Sequence, residues 1–429
     1  RKNLWPIWKV ILMKSFRTHL IESKAGKNLH LEHLEDEIIN NGTNGGRAAV
    51  NFLRALRDML SGESGSKINM TVKWDGAPAI FAGTDPADGK FFVAKKSVFN
   101  AVPLLYKSAK EIQDADLSPT LKSKFAVAFK ELSGLGIKDV IQGDLMFTDD
   151  KADKKIDGES YVTFQPNTLV YAVQKDSAIG KQISAAKLGV VWHTTYKGKD
   201  LQGMTASFGA NISGLKKSSS VWMDDATFKD VSGSAKFTAT ELKAVNSSLS
   251  SVGRKFKKIK ANDFKAFVSM QDKTFVKGLS GGSFKTYLNA YIREGQDIST
   301  KNIKQLGYSM YVKKFFDEKV ISKLKTEKSR KIKEELRDDL VKKLMKLDSV
   351  VYAIVDFMEE LITAKTLIVN KLNSIKQMTD IFVRTDKGYK VSNPEGYVAI
   401  DHTGTNAVKL VDRMEFSFNN FTAAKAWDK

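Results

Sequence analysis

Apolar residues three and four apart run through "HLEHLEDEIINN" and "GGRAAVNFLRALRDML", and predict two helices separated by an Asn/Gly-rich break. This makes residues 1–68 a helical N-terminal segment. From Asn69 the period shortens: "MTVKW", "AIFAG", "FFVAKK", "DVIQGDLMF", "YVTFQ", "TLVYAV" and "GVVWHTTY" are short, rich in β-branched and aromatic residues, and bounded by Gly, Asp, Asn or Pro. One helical stretch, around "LKSKFAVAFKELSGL", is expected among them, so residues 69–238 read as an antiparallel α+β unit. Residues 239–378 read as almost entirely helical, with one Gly/Ser break at "KGLSGGS". Residues 379–429 return to strands in "IFVRTDKGYKVS", "EGYVAIDHTG" and "NAVKLVDRMEFSF". The pattern is thus a β-rich domain split by a long all-helical insertion, with no internal repeat.

A chain of 429 residues, 42% of them hydrophobic, is too long for one core and supports two or three packed units. Its most apolar helix, "VVYAIVDFMEELITAKTLIV", is interrupted by Asp356, Glu359 and Glu360 and reads as a buried amphipathic helix, not a membrane span. The absence of cysteine excludes disulfides and thiolate metal sites and fits a reducing compartment. The first twelve residues lack a small-residue cleavage site and do not read as a secretory signal; Met13 is the expected natural start, with residues 1–12 as an addition.

Charge changes the picture further. Lysine and arginine number 69 against 49 acids, a net +20, which points to a polyanionic partner such as nucleic acid. Clusters such as "GRKFKKIK" concentrate that charge; the plainer alternative is a surplus spread over the surface. No G-x-x-x-x-G-K-[ST] occurs, which excludes a P-loop kinase or helicase.

The chemistry-bearing stretch is "TVKWDGAPAIFAG". A strand through "VKWD" sends Lys73 and Asp75 to the same face, and Gly76 lets the backbone approach a ligand. A lysine amine attacks phosphorus only when neutral, and an ordinary pKa of about 10.4 leaves few molecules in that form. Nearby cations, burial and a carboxylate-held metal all favour the neutral amine, so a nucleophilic lysine belongs among such groups. The alternative is a surface lysine beside a hairpin turn.

"KWDG" resembles the first motif of the covalent nucleotidyltransferase superfamily, the ATP-dependent DNA and RNA ligases and mRNA capping enzymes. "IQGDLMF" resembles the third motif and places Asp144 there; "NTLVYAV" resembles the following aromatic strand, with Tyr171; "NPEGYVAI" resembles the fourth motif, with Glu395; "AVKLV" resembles the fifth, with Lys409. The ordered set is more specific than any member. The resemblance implies an antiparallel-sheet adenylation domain made of residues 69–238 and 379–429, around the helical insertion at 239–378. It implies a ligase in which Lys73 attacks the α-phosphorus of ATP to give lysyl-AMP. Glu395, with Asp144 or Asp75, would hold Mg²⁺; Lys409 would contact the α-phosphate, Lys95 or Lys96 other phosphates, and Tyr171 would stack on adenine. The AMP would pass to a 5′-phosphate end for sealing by a 3′-hydroxyl, with RNA slightly favoured over DNA.

The resemblance departs from the family pattern in three places. "APAI" follows K-x-D-G where many ligases carry a base; Val411 stands where the fifth motif usually has a second lysine, with Arg413 two further on; and the helical insertion is long. The short stretch after Lys409 leaves no room for an OB domain and tilts the comparison toward phage RNA ligases. "MKSFRTHLIES", "LEHLEDEI", "TFQPNTLVYAV" and "GVVWHTTYKG" also resemble an uncharacterised protein family of large tailed phages, along nearly the whole chain from Met13. The expected location is the cytoplasm of an infected host cell, or the virion. A non-catalytic nucleic-acid-binding or virion protein retaining the fold stays open beside the ligase, as does transfer of AMP to a protein or small molecule.

Plainer readings accompany the residues: Asp144 as a strand-end carboxylate and Tyr171 as core. His30 and His33, with Glu32 and Glu35, suggest a metal site but read more simply as a solvated helix face. His193 sits near the expected nucleotide end of the sheet without an assigned role.

Overall fold

A computed structural model describes residues 33–62, 69–227, 236–276, 278–305, 307–375, 380–385, 388–391, 394–400 and 407–414. Met13, residues 1–12, His30, Glu32 and the "EFSF" stretch lie outside the described residues.

The chain is mixed α and β, about half helical, with mainly antiparallel sheets. A three-stranded sheet has the order β1 (Asn69–Lys73), β13 (Gly396–Ile400), β14 (Ala407–Val411), all antiparallel, with Lys73 opposite Gly396 and Val398 opposite Lys409. The second sheet runs β10 (Val221–Asp225), β8 (Leu188–Lys197), β4 (Val140–Phe147), β2 (Ala79–Thr84), β3 (Phe91–Ala94), with β9 (Thr205–Phe208) on β8. Only its β10–β8 pair is parallel. The third runs β12 (Gly388–Val391), β11 (Asp380–Thr385), β7 (Leu169–Gln174), β6 (Glu159–Phe164), β5 (Lys151–Ile156). Strands from both sides of the helical segment therefore share sheets: β1 pairs with β13, and β7 with β11.

Helix α1 (Glu37–Leu60) carries the expected Asn/Gly break only as a kink, at Asn41 and Gly42. Helices α2 (Ala109–Asp114), α3 (Pro119–Leu132) and α4 (Ala178–Ala185) interrupt the strands, each started by a serine, Ser108, Ser118 or Ser177, whose hydroxyl accepts from the first turn. Only α3 was expected. Strands β5, β9 and β10 were not, and β5, "KADKKI", shows why: it has no apolar alternation and forms by pairing with β6.

The helical segment contains α5 (Ala239–Lys258), α6 (Ala261–Thr274), α7 (Phe284–Arg293), α8 (Thr300–Ile303), α9 (Tyr308–Phe315), α10 (Glu327–Lys346) and α11 (Asp348–Asn373). A capping box between Thr238 and Glu241 starts α5. Lys371 pairs with Glu241 at 3.1 Å and Lys255 with Asp356 at 2.7 Å, so α5 and α11 lie antiparallel. One large core joins α1 and these helices to β1, β7, β13 and β14; Leu249, Val252, Phe357, Leu361, Tyr397 and Leu410 belong to it. A second lies between α3 and the six-stranded sheet, around Phe125, Leu132, Leu145 and Trp192. Among the described residues no helix is long and apolar enough to cross a membrane.

The expected solvated face at His33 and Glu35 is a correction: both side chains are buried, as are Asp36 and Glu37. Glu35 accepts from Lys365 of α11 at 2.8 Å, and Asp36 binds Arg413 through two bonds of 2.7 and 3.2 Å. Burial pushes the Glu35 carboxyl up, but Lys365 and Arg413 outweigh it and hold it below the usual range.

Candidate active site

β1 ends at Lys73, and its neighbour β13 begins immediately after Glu395, so pairing of the two strands brings those side chains together from 322 residues apart. The Lys73 ammonium donates to Glu395 Oε2 in an ion pair. Gly396 is required at the turn into β13, since a Cβ there would stand 2.7 Å from the Leu410 carbonyl and 2.9 Å from Val411 Cα. Lys409, on the next strand, is half-buried and near enough to pull the Glu395 carboxyl down. Burial, the larger influence, leaves that carboxyl raised, with Lys73 opposing it.

After Lys73 the backbone leaves the three-stranded sheet and crosses to the second. Ala77 N donates to the Leu145 carbonyl and Leu145 N to the Pro78 carbonyl, both at 3.1 Å; the Ala77–Pro78 peptide between them is cis. The crossing is tight at Gly76: a Cβ there would lie 2.4 Å from Asp144 Cβ and 2.9 Å from Met146 Sδ. The glycine of "KWDG" is thus what lets Lys73 and Asp144 share one site. The Asp144 carboxyl is pushed up to about 7, first by burial, then by Glu395 and Asp75, against the pull of Lys73. Among the described residues its carboxylate accepts no hydrogen bond, and its nearest charged or titratable partner within ion-pair range is His193 Nε2 at 3.8 Å.

His193 is the residue sequence reasoning left without a role. Gln142 pairs with Thr194 and Gly143 with Trp192, so His193 is the extra residue of a β-bulge in β8. Bulges re-aim side chains, and this one turns the imidazole to Asp144, with Nδ1 2.8 Å from the Thr194 hydroxyl. Burial and then Lys73 lower its pKa to about 4, leaving the ring neutral near pH 7. The signal depends on strand register, which the sequence does not display. Lys73, Asp144 and His193 keep 30, 21 and 28% of their side-chain exposure, so a solute can reach them.

Two expected roles are corrected. Tyr171 is buried at 1% exposure, with ring centroids 4.9 Å from Trp74 and 5.5 Å from Phe164, and offers no face to a base. Its hydroxyl instead accepts from Asp75 N at 2.7 Å and anchors the motif from below. Asp75 does not share the open face with Lys73: β1 stops at Lys73, and the buried Asp75 carboxylate accepts from Asn167 Nδ2, Thr168 N and Leu169 N at 2.7, 2.8 and 2.9 Å. Both carboxylate oxygens are thereby engaged by scaffold donors. Arg413 is likewise unavailable to a phosphate, being 5% exposed and bound to Asp36 and to Asn289 at 2.7 Å. Lys95 and Lys96 follow β3, half-buried and exposed, and no described hydrogen bond or ion pair joins them to the cluster.

Asp144 and Glu395 are the carboxylates left for a cation. Among the described residues no group of three or more His, Cys, Asp or Glu is arranged to enclose an ion. Two carboxylates fit Mg²⁺, which keeps several waters and takes other oxygens from substrate phosphates. No curated protein and no solved structure matches the chain significantly. A family model described as a family of unknown function, DUF6267, matches residues 28–425, and the chain belongs to that family.

Proposed function

We propose that the chain is an ATP- and Mg²⁺-dependent nucleotidyltransferase of the ligase type, acting on nucleic-acid ends through a lysyl-AMP intermediate. One observation carries this reading: the strand ending at Lys73, the strand that starts just after Glu395 and the strand carrying Lys409 form one sheet, though far apart in sequence, and Gly76 brings Asp144 to the same point. Four of the residues that the nucleotidyltransferase resemblance implies thereby converge. Lys73 forms an N–P bond to the α-phosphorus of ATP while the bond to the bridging oxygen breaks; pyrophosphate leaves with that electron pair, and the amine proton passes to solvent. For this, Lys73 must first leave Glu395. Mg²⁺ held by Glu395 and Asp144 would supply charge neutralisation on the phosphates. Lys409 holds the α-phosphate, and His193 stands beside Asp144 as a neutral hydrogen-bonding group. Transfer of AMP to a 5′-phosphate and attack by a 3′-hydroxyl complete the sequence, with positioning and electrostatics as its main resources.

The test is incubation with α-labelled ATP and Mg²⁺, followed by denaturing separation. Covalent label on the wild type, absent from Lys73→Ala, is expected; no label, or equal label on both, overturns the proposal. Label transfer to 5′-phosphorylated RNA or DNA then separates a ligase from other AMP transfer. A second reading, a non-catalytic nucleic-acid-binding or virion protein with the same architecture, is favoured by Arg413, whose burial removes the cation nearest the fifth motif's missing lysine.

A further inference from the structure

The insertion carries a basic face that the site does not use. Between Lys243 and Asn262 the cations are Lys243, Arg254, Lys255, Lys257, Lys258 and Lys260, and the segment contains no Asp or Glu. Lys255 is taken by Asp356. Lys243, Arg254, Lys257, Lys258 and Lys260 are exposed, as is Lys265 on α6, and none of them makes an ion pair among the described residues. On α5 the steps from Arg254 to Lys257 and Lys258 are three and four residues, so these cations share one side. Val245, Leu249 and Val252 hold the other side in the core. Cations in a last helical turn favour the helix dipole, which accounts for Lys257 and Lys258. It does not account for Lys243, a full four turns earlier, nor for Lys260 beyond the helix end.

We infer that this α5–α6 face binds the phosphate backbone of the nucleic acid whose end is processed at Lys73; the inference rests on the proposed function for its partner. From Lys243 to Lys258 the helix rises about 22 Å, enough to follow roughly six base pairs at 3.4 Å each. Packed elements connect the face to the site. Asp356, which pairs with Lys255, lies on α11 nine residues before Lys365, about 13 Å along the helix. Lys365 donates to the Val411 carbonyl at 3.0 Å, two residues from Lys409. A membrane surface fits less well, because an interfacial helix gains much of its attachment from large apolar side chains buried below its basic face. Among the described residues the exposed large apolar ones, Val102, Leu104, Val276, Met310, Ile332 and Met345, all lie outside this stretch.

The test measures binding of a fluorescent, 5′-phosphorylated single-stranded RNA by anisotropy, without ATP, from low to moderate salt. The variant carries Arg254→Gln, Lys257→Gln, Lys258→Gln and Lys260→Gln; a control carries four Lys→Gln changes on α10, at Lys328, Lys331, Lys333 and Lys342. Four lost phosphate contacts should flatten the log–log salt slope by about 2.8 and weaken binding at least tenfold at low salt, with the control unchanged. The double variant Arg254→Gln/Lys257→Gln should show about half that change in slope, which covers poor folding of the quadruple variant. An unchanged slope in the variants, or an equal drop in the control, overturns the inference. So does loss of binding only to phosphatidylserine vesicles. Patch-dependent RNA binding without any AMP label on Lys73 would support the surface while ending the ligase reading.

Discussion

Asp75 offers the sharpest separation of scaffold from chemistry. Its carboxylate is 7% exposed as a residue and accepts three hydrogen bonds, two of them from the backbone of Thr168 and Leu169. In Asp75→Ala those two N–H groups lose their acceptor in a buried setting, at about 1–3 kcal/mol each, so the expected loss is about 4 kcal/mol. At on the order of 2 °C per kcal/mol for a large chain, Tm should fall by roughly 8 °C. Asp75→Asn is different. Its Oδ1 can accept from both backbone groups, and Asn167 can turn its amide to accept from the new NH2. What is lost is the charge assistance, about 1–2 kcal/mol, or roughly 2–4 °C. If Asp75 only fixes the "KWDG" backbone, Asp75→Asn should keep AMP labelling within about tenfold of wild type, whereas loss of a catalytic base costs on the order of 100-fold or more. The pair of measurements is a thermal melt and a labelling time course. An Asp75→Asn protein with near-native Tm and no label would refute the scaffold assignment.

Three further outcomes are expected. Asp144, at about 7 against an ordinary 3.8, contributes stability that is present at low pH and lost as pH rises to about 7; His193, at about 4 against 6.5, contributes stability present above 6.5 and lost as pH falls to about 4. The two offset each other in wild type, so Asp144→Asn should lose Tm on acidification between pH 6.5 and 4.5 and His193→Gln should lose Tm as pH rises over about the same span, and slopes of the same sign would refute the pairing. Lys365→Met leaves Glu35, 0% exposed, without its main cation and should cost about 3–5 kcal/mol in denaturant unfolding; a cost below about 1 kcal/mol would show that Arg413 alone suffices. Gly76→Ala places a methyl group against Asp144 and Met146, which should cost about 1–3 kcal/mol and reduce labelling more than Lys95→Ala does; native stability and native labelling together would show that the crossing is looser than the geometry implies.

Much of the strand content was legible because β1, β4, β7, β8 and β13 carry apolar or aromatic runs between turn residues. What pairs with what was not, since a strand's own residues do not say that its partner lies 322 positions away. The site divides along the same line. Motif order singles out Lys73, Glu395, Lys409 and Asp144 as candidates, and the fold brings the segments that carry them together. Tyr171 could not be decided, because an aromatic residue in a buried strand has the same local pattern whether it meets a ligand or Trp74. Buried charge was the other blind spot: Glu35, Asp36, Lys365 and Arg413 look like surface residues until α1, α11 and β14 are packed together. His193 combines both difficulties, as its direction follows from a bulge set by the register of β4 on β8.

Two lysine–glutamate pairs in the same molecule help to tell structure from chemistry. Lys365 and Glu35 are 3 and 0% exposed, and Lys365 has a second partner in the Val411 carbonyl. Nothing there can exchange with a solute, and the pair reads as a rivet between α11, the N-terminal turn and β14. Lys73 and Glu395 are unequal, at 30 and 7%. The lysine side chain is the more exposed partner, the Glu395 carboxyl is raised by burial, and a second carboxylate, Asp144, stands close by at about 7 with no hydrogen bond of its own among the described residues. A pair built only for stability would satisfy every partner, because an unmatched buried carboxylate costs free energy. Carboxylate charge in excess around one accessible lysine is instead what a site needs if a cation and a phosphate are to enter together. The same excess accounts for the contact between Lys73 and Glu395. It also makes Glu395→Gln informative: an amine freed from its partner should label more slowly if Glu395 holds the metal, and at an undiminished rate if Glu395 only restrains Lys73.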